Sequence, residues 1–153
     1  MGRRVTFTVT ARSRASRHAI YELLRAGSTW PDWTPIGSFE LERPAPDGGE
    51  GVGAVRKFTT GFVSSREEII ELHPDQSLSY RALSGLPIRQ HRADVDISDS
   101  GDERVVAWRE DFEARVPGTA PMLAWFLRRF VQRCADGLAG QAATVGRAAS
   151  PSP

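Results

Sequence analysis

The beginning of the chain carries two hydrophobic periods, one typical of a strand and one typical of a helix. Residues 5–11 alternate apolar side chains with threonines, which is the period of a strand with one buried face. After Ser16, apolar residues recur at helical spacing until Gly27, so Ser16 can cap a short helix and Gly27 can end it. The sequence therefore predicts a half-buried strand followed by a short helix.

Further strands are predicted between residues 36 and 115. A turn at Trp30–Pro35 separates them from the first helix, and its two tryptophans are expected to cover one end of the core. Runs of alternating or apolar residues, divided by glycine, proline and aspartate, place the strands at 36–43, 52–61, 64–73, 77–84, 87–98 and 103–115. Because the connections are short, neighbouring strands are expected to pair as an antiparallel meander.

The last predicted element is a long amphipathic helix that begins near Ala120. Its apolar residues recur every three or four positions and share one broad face: Met122, Leu123, Phe126, Leu127, Phe130, Val131, Cys134 and Leu138. A helix this apolar on one side must lie on the sheet, which predicts an α+β fold of one domain over residues 1–145. Residues 146–153 are small and polar and contain prolines, so we expect a disordered tail.

Composition and charge narrow the function classes. The 40% hydrophobic and 25% charged content is ordinary for a globular protein, and a net charge of +1 offers no track for nucleic acid. Cys134 is the only cysteine and the histidines fall in different predicted elements, so we expect no disulfide, metal or other cofactor. The chain shows neither a signal peptide nor a long apolar run, so we expect no membrane span and a cytoplasmic location.

Five polar residues interrupt the otherwise apolar faces of the predicted strands. Counting every second residue places them among aliphatic and aromatic neighbours: Arg56, Glu68, Tyr80, His91 and Glu110. Arg56, for example, is expected to share its face with Val52, Ala54 and Phe58. Several of them meeting in one cavity would form a mostly apolar pocket with a few polar groups, which is typical of a small-molecule site. Because an unpaired buried charge is costly, we expect Arg56 to contact a counter-ion, water or a ligand.

The same five residues also admit structural explanations. Arg56 and Glu110 can form an ion pair or reach water near strand ends. Tyr80 can belong to the core, His91 to a rim and Glu68 to a solvated face. A single β-bulge would exchange the inner and outer faces of the strand for every residue after it. If the pocket exists, His91 and Glu110 are the candidates for a general acid and base.

Several segments together resemble one known family. They are Trp30–Trp33, Gly51–Arg56, Arg66–Ile69, Ser84–Pro87, Val106–Trp108 and the closing amphipathic helix. In these segments and in the order of its elements, the chain resembles the START/Bet v 1-like superfamily. The resemblance is specifically to the bacterial polyketide cyclase/dehydrase and lipid-transport (SRPBCC) branch, and it spans roughly residues 3–145.

The resemblance implies a helix-grip fold, in which a curved seven-stranded antiparallel sheet wraps around the long C-terminal helix. Proteins of this kind hold an apolar cavity between sheet and helix for lipids, sterols, polyketides or plant-hormone-like molecules. In the cyclases a cavity arginine orients the polyketide chain, and Arg56 matches such a residue by its place in the strand pattern. No complete catalytic signature is matched, so the catalytic residues stay unassigned.

The sequence thus predicts a domain that binds a hydrophobic, lipid- or polyketide-like molecule, with Arg56 contacting its anionic or carbonyl end. The expected ligand-binding residues are Arg56, Phe58, Glu68, Tyr80, His91, Trp108, Glu110, Phe126 and Phe130. An alternative is an enzyme of the polyketide cyclase/dehydratase kind, which would hold such a substrate in a reactive conformation. A third reading, a regulatory subunit, rests only on the Arg-rich outer face of the last helix, and a homodimer stays open.

Overall fold

The structure, a computed structural model, describes residues 4–149. The elements of this range follow one another as β1 (Arg4–Ser13), α1 (Arg17–Arg25), α2 (Trp30–Trp33), β2 (Ser38–Arg43), β3 (Val55–Thr60), β4 (Val63–His73), β5 (Ser77–Ser84), β6 (Ile88–Ser100), β7 (Glu103–Ala114) and α3 (Ala120–Ala149). A 3₁₀ turn at Gly27–Thr29 joins α1 to α2. The Trp30–Trp33 segment, predicted as a turn, is one turn of α-helix.

The strands form one seven-stranded antiparallel sheet in the order β1-β7-β6-β5-β4-β3-β2. Strands β2 to β7 pair with their neighbours along the chain, as the short connections predict. β1 instead pairs with β7 along its whole length, from Arg4 opposite Glu113 to Ser13 opposite Arg104. With α3 packed against this sheet, the predicted α+β helix-grip fold is confirmed.

Local contacts set the start of α1 and the position of α3. Ser16 Oγ accepts a hydrogen bond from the Ala19 backbone N–H at 3.1 Å, which is the helix cap expected from the sequence. α3 lies against β1, β7, α1 and α2. At Gly137 a Cβ atom would lie 1.8 Å from the Trp33 carbonyl oxygen. Only a glycine therefore lets α3 pack this closely on α2.

The inner face of the sheet forms the core together with α3. In β7 the apolar Val106, Trp108, Phe112 and Ala114 are buried, and the polar Glu110 is buried among them. The burial patterns of β1 and β6 alternate in the same way. Such alternation is typical of a sheet that is covered on one face and solvated on the other.

Strand β3 starts later than the sequence predicted. Gly53 has a positive φ of 95° and turns the chain, so the strand begins at Val55. Val52, expected on the inner face beside Arg56, is 51% exposed. Its placement on that face is therefore wrong.

The long helix differs from the prediction at both ends. Near its start, Met122 and Phe126 are 64% and 58% exposed, and Leu127 is the first long apolar side chain to be buried. At its other end the helix continues to Ala149, four residues into the predicted tail, so the expected boundary at residue 145 falls inside it. The remainder of that tail lies outside the described residues, and its disorder stays a prediction.

Candidate ligand cavity

A cavity of about 380 Å³ lies between the sheet and α3. Its wall includes aromatic side chains from the sheet and both neighbouring helices: Trp30, Phe58, Tyr80, Trp108, Phe126 and Phe130. It opens between the β3–β4 hairpin and the first half of α3, where the lining residues Val63 and Phe126 are 49% and 58% exposed. Seven of the nine residues expected at the site line this cavity, and Arg56 and Glu68 do not.

Trp30 belongs to the cavity wall, although the sequence placed the Trp30–Trp33 segment nearer an end cap. Its ring stacks on Phe58 at a centroid distance of 4.7 Å and meets Trp108 edge-on at 5.8 Å. The indole N–H donates to the Leu24 carbonyl oxygen at 3.0 Å, which ties α2 to the end of α1. This helical turn therefore positions one aromatic wall of the cavity.

His91 and Glu110 form the central polar contact of the wall. His91 Nε2 lies 2.5 Å from Glu110 Oε2, and both side chains are less than a tenth exposed. The Tyr80 hydroxyl donates to Glu110 Oε1 at 3.5 Å and accepts from Trp108 Nε1 at 3.2 Å. A chain of polar contacts therefore runs from Trp108 to His91. Glu110 pairs with His91, so the ion pair with Arg56 that the sequence left open is not formed.

The orientation of the His91 ring depends on a place where the backbone pairing of β5 with β6 ends. β5 and β6 pair only as far as Tyr80 opposite Ala93, and beyond this point the Ala82 N–H donates to His91 Nδ1 at 2.8 Å. The imidazole thus replaces a backbone carbonyl as the acceptor. Because Nδ1 accepts, Nε2 carries the ring proton and donates to Glu110.

A bulge in β6 brings His91 to the cavity side. Gln90 has a positive φ of 52°, and the pairing register with β7 shifts beside it. Ile88 and His91, which are three residues apart, both line the cavity as a result. Strict alternation would have turned one of them outward.

Burial and neighbouring charges control the protonation of the cavity groups. Burial raises the pKa of the Tyr80 hydroxyl well above its ordinary value, and the charges of Glu110 and Glu67 add to this rise. Burial likewise raises the pKa of the Cys134 thiol on α3. For His91, burial lowers the pKa, but the hydrogen bond and charge of Glu110 outweigh it and the pKa is raised overall.

Glu67 is a cavity residue that the sequence pattern did not predict. It lines the cavity from β4, opposite Arg56 on one neighbouring strand and Ala82 on the other. Burial raises its pKa from 4.5 to about 7, against the charges of Arg56 and His91 and with the help of Glu110. Glu67 therefore titrates close to neutral pH inside the cavity.

The placement of Glu68 on the cavity face is wrong. Its carboxylate lies on the outer face of the sheet, 2.5 Å from Arg81 and 3.6 Å from Arg43. The pairing of β4 with β5 shifts register just after Ile69, so alternation counted back from Leu72 selects the wrong glutamate. In the sequence, the adjacent residues Glu67 and Glu68 were the only indication of a carboxyl group at this place in the cavity. Counting every second residue selected the wrong one of the two.

Arg56 is fully buried, but it lies behind the cavity wall. Its Cζ atom is 4.9 Å from the Trp30 ring centroid and 5.3 Å from that of Phe58, and both rings line the cavity. Nη1 donates to the Leu24 carbonyl oxygen at 3.0 Å and lies 3.7 Å from Glu50 Oε1. Burial lowers the pKa of Arg56, and nearby carboxylates oppose this. The expected counter-ion is present, whereas direct contact with the cavity is not.

Within residues 4–149, no group of three or more His, Cys, Asp or Glu side chains is placed to hold a metal ion. None of the helices in that range combines the length and the apolar composition that crossing a bilayer requires.

Solved structures of similar shape define the class of fold. A START superfamily protein from Mycobacterium smegmatis matches with a TM-score of 0.78 at 15% identity, over 92% of this chain and 98% of that one. Ara h 8.0201 matches with a TM-score of 0.74 at 13% identity, over 93% and 99% of the two chains. A point mutant of Thalictrum norcoclaurine synthase, solved with a transition-state analogue, matches with a TM-score of 0.74 at 14% identity, over 95% and 98%. At these identities the likeness shows the fold alone, which is a START/Bet v 1-like helix-grip domain.

The amino-acid sequence identifies the family to which the chain belongs. No curated protein matches the chain significantly. The family described as "Polyketide cyclase / dehydrase and lipid transport" matches residues 4–143, which is nearly the whole chain. The chain therefore belongs to this family, and the SRPBCC resemblance inferred from its sequence segments is confirmed.

Proposed function

We propose that the chain binds a hydrophobic small molecule, lipid- or polyketide-like, in the cavity between the sheet and α3. The cavity itself carries this proposal, because it encloses about 380 Å³ within a mostly apolar and aromatic wall. Small-molecule pockets typically hold about 300–1,000 Å³ with a few polar groups that orient the ligand. Membership of the polyketide cyclase and lipid-transport family supports the same class of ligand.

Different parts of the cavity would serve different ends of the ligand. Trp30, Phe58 and Trp108 offer apolar area, and covering such area contributes roughly 25 cal/mol per Å². The hydrogen-bonded pair of His91 and Glu110 offers fixed polar groups that orient a ligand without a net positive site. A bound molecule would also cover exposed apolar surface at the opening.

A cavity-filling substitution tests this proposal with a matched control. Ala82 lines the cavity, and only its backbone N–H bonds to His91, so Ala82→Phe reduces the cavity volume without removing a polar contact. Leu83, the next residue, is 39% exposed and is not part of the wall, so Leu83→Phe places the same aromatic side chain outside the cavity. Titration with the neutral fluorescent dye N-phenyl-1-naphthylamine measures binding to each full-length protein.

We expect saturable one-to-one dye binding by the unmodified chain, at least tenfold weaker binding by Ala82→Phe, and unchanged binding by Leu83→Phe. Circular dichroism verifies that each variant is folded. Equal dye affinity in all three proteins would contradict binding in this cavity. Native mass spectrometry of protein purified without detergent then identifies a molecule that co-purifies with the chain.

A second candidate function is catalysis of the polyketide cyclase/dehydratase kind. The observation in its favour is Glu67, a cavity carboxyl whose pKa of about 7 suits proton transfer near neutral pH. His91 would orient the substrate instead of acting as the base, because its Nδ1 lone pair is already occupied by the Ala82 N–H.

Turnover of a poly-β-ketone thioester tests this second function. Glu67→Gln is expected to lower the rate about 100-fold or more while the protein still binds the dye. Glu68→Gln, which changes the neighbouring carboxylate on the outer face, is expected to leave the rate unchanged. A wild-type chain that binds the thioester and returns it unaltered would exclude catalysis of this kind.

We infer from the sequence that the protein is cytoplasmic, and we leave a homodimer open. Cell fractionation with an antibody against the chain checks the location. Light scattering coupled to gel filtration measures the mass of the particle, which for one chain is 16.8 kDa.

A further inference from the structure

Three buried polar atoms have no hydrogen-bond partner among the described residues: Arg56 Nε, Arg56 Nη2 and Glu67 Oε1. Leaving a buried polar group unsatisfied costs about 1–3 kcal/mol, and more when the group is charged. Buried polar groups in native proteins almost always have a partner for this reason. The three atoms therefore point to a group that belongs between them.

The three atoms belong to side chains that face each other. Arg56 on β3 and Glu67 on β4 are direct cross-strand partners, yet they form no hydrogen bond with each other. Glu67 lines the cavity, while Arg56 lies directly behind Trp30 and Phe58 of its wall. The unsatisfied atoms thus lie at the edge of the cavity, with Glu67 in its wall and Arg56 directly behind that wall, and we call Arg56 Nε, Arg56 Nη2 and Glu67 Oε1 the oxygen site.

The chemistry of these atoms restricts what can occupy the oxygen site. A guanidinium only donates hydrogen bonds, and an ionised carboxylate only accepts them. When Glu67 is ionised, a group between the two side chains must therefore accept from Arg56 and donate to Glu67, which a hydroxyl oxygen does. A carboxylate cannot donate and would be repelled by Glu67, while an ether or ketone oxygen leaves Glu67 Oε1 unsatisfied. This differs from the expectation that Arg56 contacts an anionic or carbonyl end.

We propose that the oxygen site binds a neutral hydroxyl group, such as an alcohol or phenol, at the buried end of the hydrophobic ligand. The inference rests on the proposed function, because it assumes that a ligand enters the cavity. An isolated water molecule has the same hydrogen-bonding chemistry and is the competing occupant. Arg56 Nε and Nη2 donate to the hydroxyl oxygen, and the hydroxyl donates to Glu67 Oε1.

Four probes of similar size separate a hydroxyl from other groups. They are 2-naphthol, 2-methoxynaphthalene, 2-naphthoate and naphthalene, titrated calorimetrically at pH 8, where Glu67 is ionised and the naphthol is neutral. The wild-type chain is expected to bind 2-naphthol at least tenfold more tightly than each of the other three. This ratio follows from the net contribution of a hydrogen bond to a charged group.

Substitutions at Glu67 assign the preference to the oxygen site. Glu67→Met removes the acceptor and keeps the side-chain length, so the ratio of the dissociation constants of 2-methoxynaphthalene and 2-naphthol should fall from tenfold or more to about one. Glu67→Gln keeps the shape of the side chain without its charge and should reduce the ratio at least threefold, which covers the case that Glu67→Met does not fold. Glu68→Gln is the matched control and should keep the wild-type ratio, since Glu68 pairs with Arg81 on the outer face.

Each other outcome overturns the proposal in a recognisable way. Equal affinity of the wild-type chain for all four probes would leave the cavity function intact and show that the oxygen site holds water only. A hydroxyl preference that survives in both Glu67 variants would place the hydroxyl elsewhere. If no probe binds to the wild-type chain, the proposed function fails together with this inference.

Discussion

His91 Nε2 and Glu110 Oε2 lie 2.5 Å apart on neighbouring strands, with 6% and 8% of their side chains exposed. The chain contains a second histidine–carboxylate contact, between His18 Nδ1 and Asp75 Oδ1 at 2.9 Å, whose side chains are 69% and 43% exposed. Water screens the second pair and can replace either partner, which solvent does not do inside the sheet. Burial therefore decides how much each contact contributes to stability.

Removing His91 is expected to be far more damaging than removing His18. His91→Ala leaves Glu110 and the Ala82 N–H without their partners, so the free energy of unfolding should fall by about 3 kcal/mol. His18→Ala is the matched control and should change it by less than about 1 kcal/mol. Urea denaturation at pH 7, followed by tryptophan fluorescence, measures both. Equal losses would mean that the buried pair adds nothing beyond an exposed one.

The ionisation of Glu67 is expected to destabilise the protein as the pH rises towards neutrality. Its pKa is about 7 in the folded chain against 4.5 ordinarily, so between these values the native state binds more protons than the unfolded state. The contribution of Glu67 to the free energy of unfolding therefore falls by up to about 3 kcal/mol from pH 4.5 to pH 7 and then levels off.

Glu67→Gln isolates this effect. The variant should match the wild-type chain at pH 4 and exceed its free energy of unfolding at pH 8 by up to about 3 kcal/mol. Glu68→Gln, which loses the ion pair with Arg81, should cost under about 1 kcal/mol and keep the wild-type pH slope. Other carboxylates, such as Asp111 with its lowered pKa, contribute equally to the pH dependence of all three proteins. The difference in the free energy of unfolding between the variants and the wild-type chain therefore reports on Glu67. A difference that does not grow with pH would contradict the burial of Glu67.

Two glycines of α3 are expected to respond oppositely to alanine. At Gly137 a Cβ atom would lie 1.8 Å from the Trp33 carbonyl oxygen, so Gly137→Ala forces α3 away from α2 and lowers the melting temperature. At Gly140 nothing lies within 4 Å, so Gly140→Ala should raise stability by up to about 1 kcal/mol through helix propensity. Differential scanning calorimetry measures the melting temperature of both variants. A higher melting temperature for Gly137→Ala would contradict the close contact between α3 and the Trp33 carbonyl oxygen.

Arg56 is expected to stabilise the chain through contacts that an exposed arginine lacks. Arg56→Met removes the donor to the Leu24 carbonyl oxygen and the positive charge beside Glu67, so the free energy of unfolding should fall by about 3 kcal/mol. Arg81→Met, at a side chain that is 54% exposed, should lower it by less than about 1 kcal/mol. The charge of Arg56 also opposes the raised pKa of Glu67, so in Arg56→Met the pH at which stability levels off should move above 7. Similar losses in both variants would contradict a structural role for Arg56.

Much of the cavity wall could be predicted from the sequence because each strand carries its own alternation. Trp108 and Glu110 share the inner face of β7 with their apolar neighbours, as counting every second residue predicted. The prediction failed where the period is interrupted: the register shift just after Ile69 made Glu68, and not Glu67, the expected cavity residue. A bulge leaves no reliable mark in a single sequence, because it is a property of the pairing between two strands.

The sequence by itself determined the order of strands and helices, the inner face of most strands and the long amphipathic helix, because hydrophobic period is a local property of the chain. Only the tertiary structure decided that β1 pairs with β7 at one edge of the sheet and that His91 forms a hydrogen bond with Glu110. It also decided that Arg56 lies beneath the aromatic wall, opposite Glu67. These contacts join residues that are distant in the chain, and their geometry depends on register, bulges and the packing of α1, α2 and α3 against the sheet.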